Sequence, residues 1–82
     1  MHIEHHPLIA EFPEHRDTIH ALKLENAHFS RLAADFEHID KAVTRIENGE
    51  ERTDAVTLEN MKKQRLAVLD ELYGMIRASV PA

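Results

Sequence analysis

With 82 residues, 15 acidic against 10 basic side chains and no cysteine, the chain is sized for one small acidic domain without disulfides or thiolate zinc ligands. Leu, Ile, Val and Phe make up 21 of those residues, enough to fold a charged chain but too few to enclose a substrate cavity, so a small-molecule enzyme is not expected. The net charge of −5 with histidine neutral argues against general binding to nucleic acid or anionic membrane, because both require a basic face.

Taken in chain order, Pro7 and Pro13 each suit the first turn of a helix, where a missing N–H costs nothing. They predict a short N-terminal helical segment within residues 1–12 and a first long helix over about 13–48. In that helix Phe29, Leu32, Phe36, Ile39, Val43 and Ile46 step alternately by three and four residues, the heptad seam of a coiled coil. The seam lapses at Glu25, but Ala27 favours helix, so local irregularity near residues 25–27 is expected within a continuous helix. Residues 49–54 then read as the turn: Gly49 can take the left-handed conformation that ends a helix, and Thr53 or Asp54 can cap the next. A second long helix follows over about 55–79, ahead of Pro81, and repeats the rhythm with Leu58, Met61, Arg65, Val68, Leu72 and Met75.

Folding the two helices about Gly49 pairs Ile46 with Leu58, Val43 with Met61, Ile39 with Arg65, Phe36 with Val68, Leu32 with Leu72 and Phe29 with Met75. Every layer but one is apolar, which argues for an all-α fold built on an antiparallel, coiled-coil-like two-helix hairpin, a single domain over residues 1–82. Arg65, the odd member, is expected to lay its stem over Ile39 and reach Asp35 or Asp40. A second apolar row, Leu66, Leu69, Tyr73 and Ile76, lies where a two-helix hairpin cannot cover it. Its cover is either the N-terminal segment, through Leu8, Ile9, Phe12, Ile19 and Leu22, or a second subunit, with the second subunit expected.

Several segments together, Phe12-Pro13-Glu14, Ile19-His20-Ala21-Leu22-Lys23, Asn26-Ala27-His28-Phe29, the stretch about Asp40, and Lys62-Lys63-Gln64-Arg65-Leu66 leading to Asp70-Glu71-Leu72-Tyr73, resemble the YdcH-like family of small bacterial proteins of unknown function. The likeness covers nearly the whole chain. It departs at Ala27, where relatives often carry proline, and at Val68-Leu69-Asp70, where a lysine often precedes the aspartate. The resemblance implies a short, coiled-coil-like helical protein of the bacterial cytosol and supplies no catalytic residues to transfer.

Chemistry-bearing groups are few. The seven histidines would carry the charge from −5 to +2 on full protonation, which makes a pH response conceivable. His2, His5 and His6 are weak metal candidates, since a cluster near a terminus lacks fixed geometry and supporting partners. Glu11 and His15, four residues apart, read as a solvated helix contact. His20, His28 and His38 lie beside the seam, with Ser30 and Thr44 the nearby hydroxyls but no orienting triad. Glu50-Glu51 and Asp70-Glu71 are adjacent and diverge, so neither makes an acid–base pair. The basic cluster Lys62, Lys63 and Arg65 has no interleaved aromatic for stacking bases and reads as a solvated face in contact with Glu59.

The expected function is a small non-catalytic protein–protein interaction module that self-associates or docks on a partner through an apolar helical face, Leu66, Leu69, Tyr73 and Ile76. The alternatives are a His-rich metal-binding or pH-responsive protein and a small nucleic-acid-associated factor. No cofactor, small-molecule substrate or membrane is expected. Residues 1–6 are too charged for a secretory leader and no apolar run is long enough to span a bilayer, so a cytoplasmic location is expected.

Overall fold

Asn26 turns the chain back on itself. In the computed structural model, which describes residues 8–80, Asn26 leaves helical geometry at φ −126°, ψ 106° and joins two separate helices. Its N–H donates to the Leu22 carbonyl at 2.9 Å, and its Oδ1 accepts from the Phe29 N–H at 3.0 Å. One residue therefore ends α2, Arg16–Glu25, and caps α3, Ala27–Glu47. The continuous first helix expected over about 13–48 is corrected here: the helix-forming tendency of Ala27 is outweighed by the cap beside it. His2, His5, His6, Pro7 and Pro81 lie outside the described residues, as does the side chain of Ile9.

Ahead of α2 lie a single helical turn, α1, Leu8–Glu11, and a 3-10 turn, Pro13–His15. Pro13 occupies the first turn as expected. Phe12, at φ −132°, ψ 64°, separates the two. The Leu8 N–H donates to Glu37 Oε1 at 3.2 Å, which places the start of this segment beside the middle of α3. Residues 8–25 thus fold back along the longer helices.

The turn after α3 follows the expected chemistry. Gly49 stands at φ +79°, a conformation that an L side chain resists. The N–H groups of Gly49 and Glu50 donate to the carbonyls of Ile46 and Arg45 at 3.1 and 2.9 Å, satisfying groups at the end of α3. Asp54 caps α4, Ala55–Ser79, accepting the Thr57 N–H at 2.6 Å. Side-chain contacts then join α3 to α4 in opposite order along the two helices: a hydrogen bond of His28 with Glu71, and ion pairs of Asp40 with Arg65 and Glu47 with Lys62. Among the described residues every regular element is helical and none is a strand, within extents of 42 × 23 × 20 Å.

Buried Leu8, Ile19, Phe29, Ala33, Phe36, Leu72 and Ile76 form one cluster, with Phe12, Leu22, Leu32, Val68, Leu69 and Met75 packed against it. On α3 the buried stripe is Phe29, Ala33, Phe36, Asp40, Val43 and Thr44. Of the expected seam, Phe29, Phe36, Val43 and Leu72 are fully buried and Leu32, Ile39, Ile46, Leu58, Met61, Val68 and Met75 half-buried, Leu32, Val68 and Met75 packing against the cluster; the buried stripe also takes in Ala33, Asp40 and Thr44. The N-terminal segment supplies the physical reason. Its Leu8 and Ile19 share the buried cluster with Phe29, Ala33 and Phe36, so burial on α3 extends beyond the seam to Ala33.

Two outcomes follow. Asn26→Ala should lower the free energy of unfolding by about 1 kcal/mol in urea titration, with Asn26→Asp recovering most of the loss because it restores the cap acceptor. The Asp54 carboxyl is held below its ordinary value of 3.8 by the Thr57 hydroxyl and then by the Thr57 N–H. A depressed folded-state pKa stabilises above the unfolded value, and that stabilisation is lost as pH falls through the folded value. The thermal midpoint of the parent relative to Asp54→Asn should therefore be steady above about pH 4 and decline below it.

Candidate functional site

The second apolar row of α4 is largely claimed by the chain itself. Ile76 is fully buried and Leu69 packs against the core. Phe12 stacks on Tyr73 with ring centroids 5.1 Å apart and planes inclined by 16°, and the Arg77 guanidinium sits 5.6 Å from the same ring. Leu66 remains 58% exposed and Tyr73 38%. Of the four residues expected to form one docking row, Ile76 is therefore unavailable and Leu69 only partly available. The cover is the N-terminal segment, through Leu8, Phe12, Ile19 and Leu22. A histidine-rich beginning concealed how well the apolar residues of that segment meet α4.

On the other flank of the α3–α4 pair the apolar residues are half-buried, and Leu32, Val68 and Met75 also pack against the core cluster. Leu32, Ile39 and Ile46 recur every seven residues on α3, and Met61, Val68 and Met75 do so on α4; all six are half-buried. Heptad spacing puts each trio in one row. Ala33, Asp40 and Thr44, smaller or more polar, are fully buried on the opposite side of α3. Burying the small and polar positions while leaving larger aliphatic ones part-exposed is the reverse of what an isolated pair of helices prefers.

Arg65 meets Asp40 at 2.9 Å, one of the two partners expected for it. Asp40 is 6% exposed, so this ion pair sits at the edge of the core, where desolvation raises the cost of losing one member. Lys62 reaches Glu47 at 3.6 Å across the helices, not Glu59 along its own helix. Lys63 is exposed. The basic cluster is thereby divided between inter-helix contacts and solvent.

The histidines do not converge. His20, His28 and His38 are exposed, away from the seam boundary expected for them, while Ser30 is exposed and Thr44 buried. His28 lies 3.3 Å from Glu71 and His15 lies 3.8 Å from Glu14. Glu11 and His15 do not share a helix face, because Phe12 interrupts the helix between them. No group of three or more His, Cys, Asp or Glu side chains with metal-binding geometry occurs among the described residues. Glu51 pairs with Arg45 at 2.8 Å, and Asp70 is exposed. An open groove of about 320 Å³ lies between α2 and the end of α4, lined by Asp17, Thr18, Ala21, Leu22, Glu25 and Ser79. Its polar lining is two carboxylates and two hydroxyls, with no histidine, lysine or arginine among the lining residues. No described helix is long and apolar enough to cross a membrane.

Sequence reasoning missed the buried positions Ala33, Asp40 and Thr44 and hence which flank of α3 faces outward. A signal existed: Phe29-Ala33 and Phe36-Asp40 are four-residue steps with a small or pairable second member, an alternative stripe to the heptad.

Comparison with known proteins places these features in a lineage. The family described as "Protein of unknown function (DUF465)" matches residues 29–76, which span most of α3 and α4. The chain is 35% identical over 66 residues to "Uncharacterized protein YdcH" of Escherichia coli (strain K12), a span of 80% of this chain and 89% of that protein. The protein of the same description from Shigella flexneri matches to the same extent. No solved structure matches the chain.

Arg65→Met should destabilise by about 1 to 3 kcal/mol, because it takes the guanidinium from a nearly buried carboxylate. Adding Asp40→Leu should recover part of that loss in a double-mutant cycle of urea midpoints; additive losses would contradict the coupling. Removing residues 1–12 should uncover Leu69, Tyr73 and Ile76, seen as increased binding of a hydrophobic dye and concentration-dependent association by light scattering.

Proposed function

This chain belongs to the DUF465 family of proteins of unknown function, and from that premise we propose that it is a non-catalytic protein–protein interaction module. It works through an apolar helical face, with itself or another protein as partner, in the bacterial cytoplasm. The scaffold is a coiled-coil-like antiparallel hairpin of α3 and α4, braced on one flank by the N-terminal segment. One observation carries the reading: Leu32, Ile39 and Ile46 are only half-buried beside half-buried Met61, Val68 and Met75, though Leu32, Val68 and Met75 also touch the core, while the smaller or more polar Ala33, Asp40 and Thr44 are fully buried. An apolar strip of this length costs solubility unless something docks there.

Family membership supports the reading only in extent: the matched residues 29–76 carry both rows almost completely. The docking surface is accordingly the flank opposite the N-terminal segment, and exposed Leu66 stands apart as a single surface residue of an ordinary kind. A photo-crosslinking side chain at Gln64, exposed and one turn from Val68, should form discrete protein adducts in living cells. The same group at Asp17, exposed on α2, should form none. Absence of adducts from Gln64, or equal adducts from both positions, would contradict the reading.

A further inference from the structure

We propose that residues 8–25 form an exchangeable arm: at high concentration Asn26 becomes helical, α2 and α3 fuse, and the arm seats on the α3–α4 pair of a second copy. The resulting dimer repeats the contacts of the monomer. It uses the flank that the arm already covers and is independent of the outer flank described above.

The joint that would straighten is a single residue. The helical ladder stops where the Asn26 N–H donates to the Leu22 carbonyl and restarts where the Ser30 N–H donates to the Asn26 carbonyl. A helical Asn26 would pair the N–H groups of Ala27, His28 and Phe29 with the carbonyls of Lys23, Leu24 and Glu25. In the bent form the Asn26 side chain serves the Phe29 N–H, so the straight form regains the ladder in exchange for one cap. Lys23, Leu24, Glu25, Ala27 and His28 are all exposed. Straightening therefore draws none of these side chains out of the core.

The arm is held by contacts that do not require its own chain. Leu8 and Ile19 join Phe29, Phe36, Leu72 and Ile76 in the buried cluster, with Phe12 and Leu22 packed against it. The Phe12 ring stacks on Tyr73, and the Leu8 N–H donates to Glu37 Oε1. An identical arm from a second copy makes the same contacts with α3 and α4. A lone chain that straightened would leave Leu8, Phe12, Ile19 and Ile76 uncovered, so the straight form persists only when paired. Neither Phe12, ahead of the 3-10 turn, nor His15, ahead of α2, caps with its side chain. The beginning of the arm thus takes its shape from the surface that receives it, and that surface is matched to this arm residue by residue.

The test is sedimentation equilibrium of the full chain from micromolar to millimolar concentration, beside Asn26→Ala and Ala27→Pro. Isotope-filtered nuclear Overhauser spectra of labelled and unlabelled parent chains, refolded together, report which copy supplies each ring. Proline suits position 27 in the bent form, because Ala27 opens α3 and Asn26 already has extended backbone, but it forbids the straight helix. The parent should dimerise at the upper concentrations with Phe12–Tyr73 contacts between labelled and unlabelled copies. Asn26→Ala, which lacks the cap that favours the bend, should dimerise at least about tenfold more tightly, and Ala27→Pro should stay monomeric with unchanged circular dichroism. A parent that is monomeric throughout, a dimer that keeps Phe12–Tyr73 contacts within each copy, a folded Asn26→Ala that dimerises no more tightly, or a folded Ala27→Pro that dimerises as well as the parent overturns the proposal. Should either variant fail to fold, the filtered spectrum of the parent decides. Adducts from the crosslinker at Gln64 judge the outer flank separately, since exchange of the arm does not involve that position.

Discussion

Everything in the described structure depends on how the Asn26 cap redirects the chain. Had α2 and α3 formed one helix, Ile19 and Leu22 would project beyond the end of α4, since each helical residue advances about 1.5 Å. With the break, Leu8 and Ile19 join Phe29, Phe36, Leu72 and Ile76 in a single buried cluster. A chain of this size has few apolar side chains to place, and one small core seldom gives more than a few kcal/mol. Folding the N-terminal segment onto the long helices is how it assembles a third layer.

That third layer has a consequence for the partner helices. A segment pressed against one flank of α3 needs close approach there, which Ala33 permits, and a satisfied polar contact, which Asp40 makes with Arg65. The buried stripe of α3 therefore takes in Ala33, Asp40 and Thr44 beside the heptad positions Phe29, Phe36 and Val43, and Leu32, Ile39 and Ile46 are half-buried. The same packing that covers Ile76 on one side leaves an aliphatic strip on the other.

Much of this was legible in the sequence, and the division has physical reasons. Gly49, the Asp54 cap and the extent of α4 were readable because they rest on local chemistry: left-handed backbone at glycine and a carboxylate within reach of an N–H three residues on. The meeting of Arg65 with Asp40 was readable because a cation in an apolar seam needs a carboxylate nearby. The break at Asn26 was not, since Ala27 favours helix and the lapse at Glu25 can be absorbed in a straight one. Nor was the cover over Ile76, because it depends on where a folded-back segment lands. Heptad spacing identifies a set of apolar positions, but which neighbouring positions are buried depends on the third layer, which lies far away in sequence. Of the expected apolar row, Ile76 is buried and Leu69 packs against the core for that reason.

The central claim is that a broken first helix folds back and covers one flank of α3 and α4. Nuclear Overhauser contacts in uniformly labelled protein test it most directly. The account predicts contacts between the Phe12 and Tyr73 rings, together with an interruption of the sequential helical pattern at Asn26. An uninterrupted helical pattern from residue 16 to residue 47, without ring contacts between Phe12 and Tyr73, would contradict it.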